Sequence, residues 1–497
     1  MSIQGNDYQV VIVGCGLSGI AAAVKLKSNG ITNFIILEKG DGIGGTWRDN
    51  TYPGCGCDVP SNLYSYSFYP NANWNHTYAA QPEILAYIER TVNEMNLRSY
   101  IKMQTELLEA DWNKAKRRWI VETNKGTVSS KFIIFAAGPI TEPSIPDLPG
   151  AESFTAECFH SARWNHDYDL KGRNVAVVGT GASAIQFIPE IQRQVKNLYV
   201  FQRTAPWVFP KPNREISNVE KWLNKRTSLL QNMERLSVEK IMLVVNYGLL
   251  HPWLMRAFEP AAKAMLRHSI PDKKLRKHVT PDFTIGCKRV LFSNNYYPAL
   301  RKPNVELLPE AVKMLDKSVI VSATGERREV DAVIFGTGFD VTHPPIASRI
   351  RTGDGGLLSD SWWDDGPEAY LGTTFHDLPN AFFMVGPNIL VYSSFIGIAE
   401  WQTNYIVDAI KTAEKDNIEI INLPVSIAKT YNNTVQDELQ GTVWTSGNCV
   451  SYYLDDNGKN FASWPWTIPE LKEKLSRFDM ENYELTYGEP DLGVSVF

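Results

Sequence analysis

Residues 8–38 read YQVVIVGCGLSGIAAAVKLKSNGITNFIILE. The apolar run Tyr8–Val13 has a strand pattern, and Gly14-Cys15-Gly16-Leu17-Ser18-Gly19 follows it without a gap. A helical pattern then runs through Ala21, Ala22, Val24 and Leu26 to Gly30, and a second strand, Phe34–Leu37, ends on Glu38. Together these make one complete β-α-β unit. In such a unit the first glycine permits the tight turn, the second lets backbone approach a pyrophosphate, and the third lets the helix pack closely on the strand. The pyrophosphate sits on the helix N-terminus, where unpaired N–H groups and the helix dipole favour an anion. Glu38 stands 22 residues beyond Gly16, where a carboxylate accepts hydrogen bonds from ribose hydroxyls. The stretch therefore specifies a dinucleotide site.

The pattern recurs. Asn174–Val178 leads into Gly179-Thr180-Gly181-Ala182-Ser183-Ala184, then a helix through Ile185, Ile188 and Ile191, then a strand ending at Phe201. Gly181 to Arg203 is again 22 residues, so the same place is acidic in the first unit and cationic in the second. A carboxylate there binds a free ribose, whereas a guanidinium pairs with a 2'-phosphate. Two different dinucleotides are expected, an FAD-type ligand first and NADPH second, with Thr180, Ser183 and Thr204 beside the second.

Two further strand-plus-glycine segments, 132–138 and 332–338, match each other, and Pro139, Pro143, Pro146 and Pro149 mark an interdomain connection. Between Asn213 and Thr280 the composition turns helical and highly charged. The fold class is α/β, with two Rossmann-like dinucleotide-binding domains for FAD and NADPH, the second inserted in the first, and a helical insertion. Residues 1–140 and 373–497 form the FAD domain, 150–212 and 281–372 the NADPH domain, and 213–280 the insertion.

Composition narrows the function classes. Of 497 residues, 43% are hydrophobic and 21% charged, as in a globular protein. Fifty basic against fifty-five acidic residues, a net charge of −5, offer no overall electrostatic case for nucleic acid or an anionic membrane. Six cysteines are too few for a disulfide framework, none has zinc spacing, and a reduced, cytoplasmic setting with no metal is expected. The first Lys or Arg is Lys25, so no cationic signal region precedes Val10. The uncharged stretch Leu378–Ala399 contains two prolines and reads as strand, turn and buried helix, and Ile241–Met255 also reads as a buried helix. No integral membrane segment is expected.

The doubled nucleotide pattern, with a proline-rich link holding Phe154-x-Ala156-x-x-x-His160-x-x-x-Trp164-Asn165, resembles the type I Baeyer-Villiger monooxygenases. That family's fingerprint is F-x-G-x-x-x-H-x-x-x-W followed by P or D. Phe154, His160 and Trp164 match it; Ala156 and Asn165 depart from it. Gly44-Gly45-Thr46-Trp47, Tyr52-Pro53-Gly54 with Cys57-Asp58, Gly286-Cys287-Lys288-Arg289 and Gly386-Pro387-Asn388 extend the resemblance over nearly the whole chain.

The resemblance implies an FAD- and NADPH-dependent enzyme that converts a ketone and molecular oxygen to an ester or lactone through a flavin C4a-peroxide. Arg289 would be the active-site arginine and Asp58 its carboxylate partner, with Lys288 and Arg203 on the NADPH 2'-phosphate. Trp444 would belong to a mobile loop over the cofactor, and Gly45, Thr46, Trp47 and Asn388 to the cofactor sites. His160 would couple domains rather than transfer protons. The chemistry suits the residues: a guanidinium is permanently charged and stabilises an anion without giving up a proton. Oxygenation of sulfur or nitrogen is the alternative activity. Cys55-Gly56-Cys57 reads as two packed thiols, and Lys273–His278 as a solvated helix face.

Overall fold

The computed structural model describes residues 3–489. The chain begins with β1 (Asp7–Val13), α1 (Leu17–Ser28) and β2 (Phe34–Leu37), with Val10 in parallel register opposite Phe34. α2 (Thr46–Asp49) and α3 (Gln81–Glu94) follow, then β3 (Ile101–Lys102), β4 (Leu107–Asn113), β5 (Arg118–Thr123) and β6 (Gly126–Phe135). Past β7 (Glu142–Pro143) the second unit runs β8 (Glu157–His160), β9 (Asn174–Val178), α4 (Ala184–Ile191), β10 (Asn197–Phe201) and β11 (Val208–Phe209). Four helices then interrupt it: α5 (Asn218–Arg226), α6 (Leu229–Leu250), α7 (Pro252–Ser269) and α8 (Lys273–Val279).

β12 (Leu291–Phe292), α9 (Tyr296–Leu300) and β13 (Val305–Leu308) resume the unit. A meander of β14 (Val312–Asp316), β15 (Val319–Ser322) and β16 (Arg327–Glu329) precedes β17 (Ala332–Phe335) and β18 (Phe339–Asp340). The remainder is α10 (Leu358–Asp365), β19 (Ala381–Phe383), α11 (Phe395–Lys415), β20 (Ile418–Asn422), α12 (Val425–Leu439), α13 (Val443–Ser446), α14 (Ile468–Lys474) and β21 (Glu484–Tyr487).

Two main sheets result. The first has the order β3-β2-β1-β6-β5-β4, and β19 joins it beside β6. Chain from both ends of the molecule therefore shares one sheet. The second, β13-β10-β9-β17-β8, is wholly parallel. Val10–Val13 and Phe132–Phe135 are buried on both faces, because α1 covers one side with small Ala21, Ala22 and Ala23 and α10 closes the other with Trp362 against Phe383. Burying side chains of this size contributes about 1.5–3 kcal/mol each. The short antiparallel pair β7–β18 joins the two units, with Phe339 opposite Pro143.

The structure differs from expectation in two places. Ile241–Met255 is helical, divided between α6 and α7 at His251, and buried on one face only: Leu249 and Met255 are buried, whereas Val244 is 71% and Trp253 64% exposed. Cys287 and Cys449 are joined in a disulfide across 162 residues, where reduced thiols were expected. No local spacing of cysteines announces a pair so far apart.

Candidate functional site

The first nucleotide turn is shaped by backbone contact. Gly14 has φ +106°, and a Cβ there would lie 2.4 Å from the Ala136 carbonyl oxygen, so any side chain breaks the turn. A Cβ on Gly19 would lie 2.0 Å from the Gly14 oxygen. Gly16 and Gly45 face each other Cα to Cα, and α1 starts at Gly16 with no side chain capping it. The free first-turn N–H groups and the glycine-lined space fit a dinucleotide pyrophosphate. Glu38 is buried at the mouth of this turn and accepts from Cys15 N (2.9 Å), Gly40 N (2.7 Å) and Arg48 Nη1 (3.0 Å). Arg48 is a partner the sequence did not announce. Thr46 and Trp47 open α2, and Trp47 Nε1 donates to the Tyr64 hydroxyl at 2.9 Å.

The second turn repeats the first. Gly179 has φ +101°, and its Cβ would lie 2.5 Å from the Gly336 oxygen, as Gly14 meets Ala136. Gly181 keeps 3.8 Å from the same oxygen. Thr180 Oγ1 donates to the Thr204 carbonyl at 3.4 Å, and Ser183 precedes α4 without capping it. Arg203 is exposed and Lys288 half-buried. Burial, with the nearby Arg203 guanidinium, holds Lys288 below its ordinary range. Two cations crowded together with no salt bridge between either and a carboxylate, among the described residues, make a site suited to a phosphate.

Between the units a cavity of about 1580 Å³, open to solvent, is lined by the ends of β6 and β19, the 286–290 and 390–393 segments and the 452–463 segment. Its walls are mainly apolar, with Asp58, Lys288 and Arg289 among the few charged side chains that reach it. Arg289 lines it and binds Asp58 in a fork: Nε to Oδ2 at 2.9 Å and Nη2 to Oδ1 at 2.8 Å. The carboxylate holds the guanidinium well above its ordinary range. Nη1 makes no hydrogen bond among the described residues. Tyr392, Tyr452 and Tyr453 surround the pair, and Tyr452 donates to Tyr453 at 3.3 Å. Lys211, over the Tyr78 ring at 5.2 Å, is lowered by burial while Cys57 and Asp58 oppose the shift. These tyrosines and Lys211 escaped sequence reasoning, since no motif joins positions so distant in the chain. Trp444 also lines the cavity, 6.3 Å edge-on from Tyr453, and Cys287–Cys449 ties its segment to the one bearing Arg289.

The remaining expected residues lie elsewhere. Asn388 is buried with φ +53°, and its amide donates to the Asn460 and Ser463 carbonyls; Gly386 and Pro387 line the cavity instead. His160 ends β8, opposite Phe335. Its Nδ1 accepts from Ala162 N at 3.1 Å, and its ring sits edge-on to Phe339 of β18 at 5.7 Å. Burial pushes it down to about 4, so it is neutral at pH 7. Phe154 packs on the second sheet's core and Trp164 on Phe187 at 5.4 Å. Burial pushes the Cys55 thiol up to about 11 and Cys57 higher still, so neither is the thiolate that dithiol exchange needs.

Two glycine turns of the dinucleotide-binding kind, each at the end of a strand in parallel pairing, define a nucleotide-dependent oxidoreductase, and the model of the pyridine nucleotide-disulphide oxidoreductase family matches residues 11–246. Baeyer-Villiger monooxygenases of Streptomyces coelicolor and Pseudomonas aeruginosa are each 40% identical to this chain, covering 97% and 96% of it and 93% and 91% of themselves. An oxidized steroid monooxygenase bound to NADP superposes with a TM-score of 0.84 at 28% identity, over 97% of this chain and 100% of that one. The chain belongs to the Baeyer-Villiger monooxygenases. A relative from Aspergillus niger, 32% identical over 94% of this chain and 80% of itself, is an FAD-binding monooxygenase.

Proposed function

We propose that this protein inserts one oxygen atom beside the carbonyl of an apolar ketone, consuming NADPH, a proton and dioxygen and releasing ester or lactone, water and NADP+. The observation that carries this reading is the Arg289–Asp58 fork at the wall of a mainly apolar cavity between the two nucleotide turns. Gly14, Gly16, Gly19, Glu38, Gly45, Thr46 and Trp47 would hold FAD, and Gly179, Thr180, Gly181, Ser183, Arg203, Thr204 and Lys288 would hold NADPH. Bound FAD, once reduced by NADPH, supplies the activation of dioxygen.

The residues of the chain do the rest. Asp58 takes two of the guanidinium donors, sets the plane of Arg289 and balances a charge that is costly to bury alone. Nη1 then presents donors to the cavity from a group that does not release a proton at any working pH. A fixed, undiminished positive charge stabilises developing oxyanion character more than a mobile ammonium would. Phe383, Val385, Leu390 and Val391 keep water from the reacting carbon.

Division into FAD segments 1–140 and 373–497, NADPH segments 150–212 and 281–372 and insertion 213–280 is supported by β19 joining the first sheet and by four helices interrupting the second unit. A cytoplasmic setting is drawn from the four unpaired cysteines, and the Cys287–Cys449 disulfide stands against it.

The test uses purified protein with NADPH, a ketone panel and ¹⁸O₂. One labelled oxygen per ester, with label also in water, is expected. NADPH oxidation that leaves every ketone unchanged, or that converts only added sulfides and amines, would overturn the proposal.

A further inference from the structure

Helix α6 meets the body along one face and leaves a second apolar face in solvent. Its buried positions are Gln231, Asn246, Gly248 and Leu249, three of them polar or small. Gln231 donates to Asn62 Oδ1 and the Asn71 carbonyl, and Asn246 to the Trp466 carbonyl. Its apolar side chains Leu229, Met233, Leu236, Val244 and Tyr247 are exposed instead. At about 100° per residue they fall on one stripe roughly 80° wide. α7, packed on α6, adds exposed Trp253 and Phe258. On α5, also packed on α6, Arg226 stacks 4.0 Å over the half-exposed Trp222 ring. Soluble monomers rarely leave an apolar face of this extent in water.

Charge identifies what covers it. Residues 213–280 carry 13 Lys and Arg against six Asp and Glu, a net of +7 in a chain whose total is −5, which leaves −12 on the remainder. The overall balance thus conceals a strongly cationic segment. Helices α5 to α7 (218–269) hold eight Lys and Arg against four Asp and Glu, so a second copy in a two-fold pairing would bring +4 against +4. An anionic lipid surface suits both features: acyl chains take the apolar stripe, and headgroups meet the lysines and arginines. Lys240 lies within the stripe, with a stem long enough to carry its charge to the headgroups. Among the described residues no helix is long and apolar enough to cross a membrane, so these helices would lie in the surface.

We propose that α5, α6 and α7 dock the protein on an anionic lipid bilayer. Met242 and Leu249 of the same α6 line the cavity, which sets the docked face about one helix diameter, roughly 10 Å, from it. Delivery of an apolar ketone out of the lipid follows if the oxygenation reading holds; docking itself does not depend on it.

The experiment is flotation of the FAD-loaded full-length protein with vesicles of phosphatidylcholine alone or mixed with phosphatidylglycerol, at low and high salt. Binding to the mixed vesicles, weakened by salt, is expected. Lys225→Gln with Arg226→Gln should lower the partition coefficient on the order of 20-fold at low salt, at roughly fivefold per cation. Trp253→Ser with Phe258→Ser should lower it about tenfold or more, while flavin absorbance stays unchanged. Failure to float with either vesicle, or flotation indifferent to all four substitutions, would overturn the proposal. So would a dimer in light scattering that Leu236→Ser with Val244→Ser converts to monomer, because the face would then belong to a second copy.

Discussion

Removing the carboxylate of Asp58 leaves Arg289 in place but without the two acceptors, at 2.9 and 2.8 Å, that fix its plane. The side chains are 33% and 22% exposed, between a fully exposed ion pair, worth about 0–1 kcal/mol, and a buried one, whose rupture costs about 3–5 kcal/mol. About 2 kcal/mol of orienting energy is therefore at stake. Arg289→Ala removes the charge facing the cavity and should lower kcat/KM for ester formation about 10²–10³-fold, as for loss of one oxyanion donor. Asp58→Ala should cost about 10–100-fold, typical of a group that orients another. The double variant decides how Asp58 acts. If it works through Arg289, Asp58→Ala adds little once the arginine has been replaced, and the two losses are far from multiplicative. Ester is measured by mass spectrometry alongside NADPH oxidation, which should persist in all three variants and run ahead of ester. Should Asp58→Ala cost the same factor in the Arg289→Ala background as in wild type, the positioning role assigned to Asp58 is wrong.

Replacing Lys288 and Arg203 together by Gln should raise the NADPH KM at least about tenfold, the measure of a lost charged contact, and leave the NADH KM nearly unchanged; equal shifts would remove the phosphate role. His160 is held at about 4, below the ordinary 6.5 of the unfolded chain, so the unfolded state takes the proton first. Its contribution, roughly 3 kcal/mol, is present above pH 6.5 and is lost as pH falls toward 4. Urea unfolding at pH 7 and 4.5 should show a smaller acid loss in His160→Gln than in wild type, and equal losses would exclude the histidine as the cause. Thiol titration of the denatured, unreduced chain should find four thiols and, after reduction, six. Cys449→Ser should destabilise by up to about 5 kcal/mol, the loop-closure value for 162 residues, read as a lower thermal midpoint; six thiols before reduction would show Cys287 and Cys449 unbridged.

The two nucleotide turns were legible in the sequence because everything that makes them is local. Strand, glycine turn, helix and the residue 22 positions on lie within one β-α-β unit, where steric limits on φ and backbone approach act over a few residues. Gly14 and Gly179 meet matching carbonyls, Ala136 and Gly336, as the paired motifs lead one to expect. Arg289 with Asp58 was legible only through resemblance, since 231 residues separate them. The sequence did not reveal that Arg48 shares Glu38, that tyrosines from 392 and 452–453 enclose the guanidinium, or that Cys287 reaches Cys449. Each is a contact between side chains brought together by the packing of separate elements, and no spacing records it. Composition also misread Ile241–Met255. An apolar helix and a buried helix share one alphabet, and only the tertiary structure decides which face meets the body and which is left to meet something else.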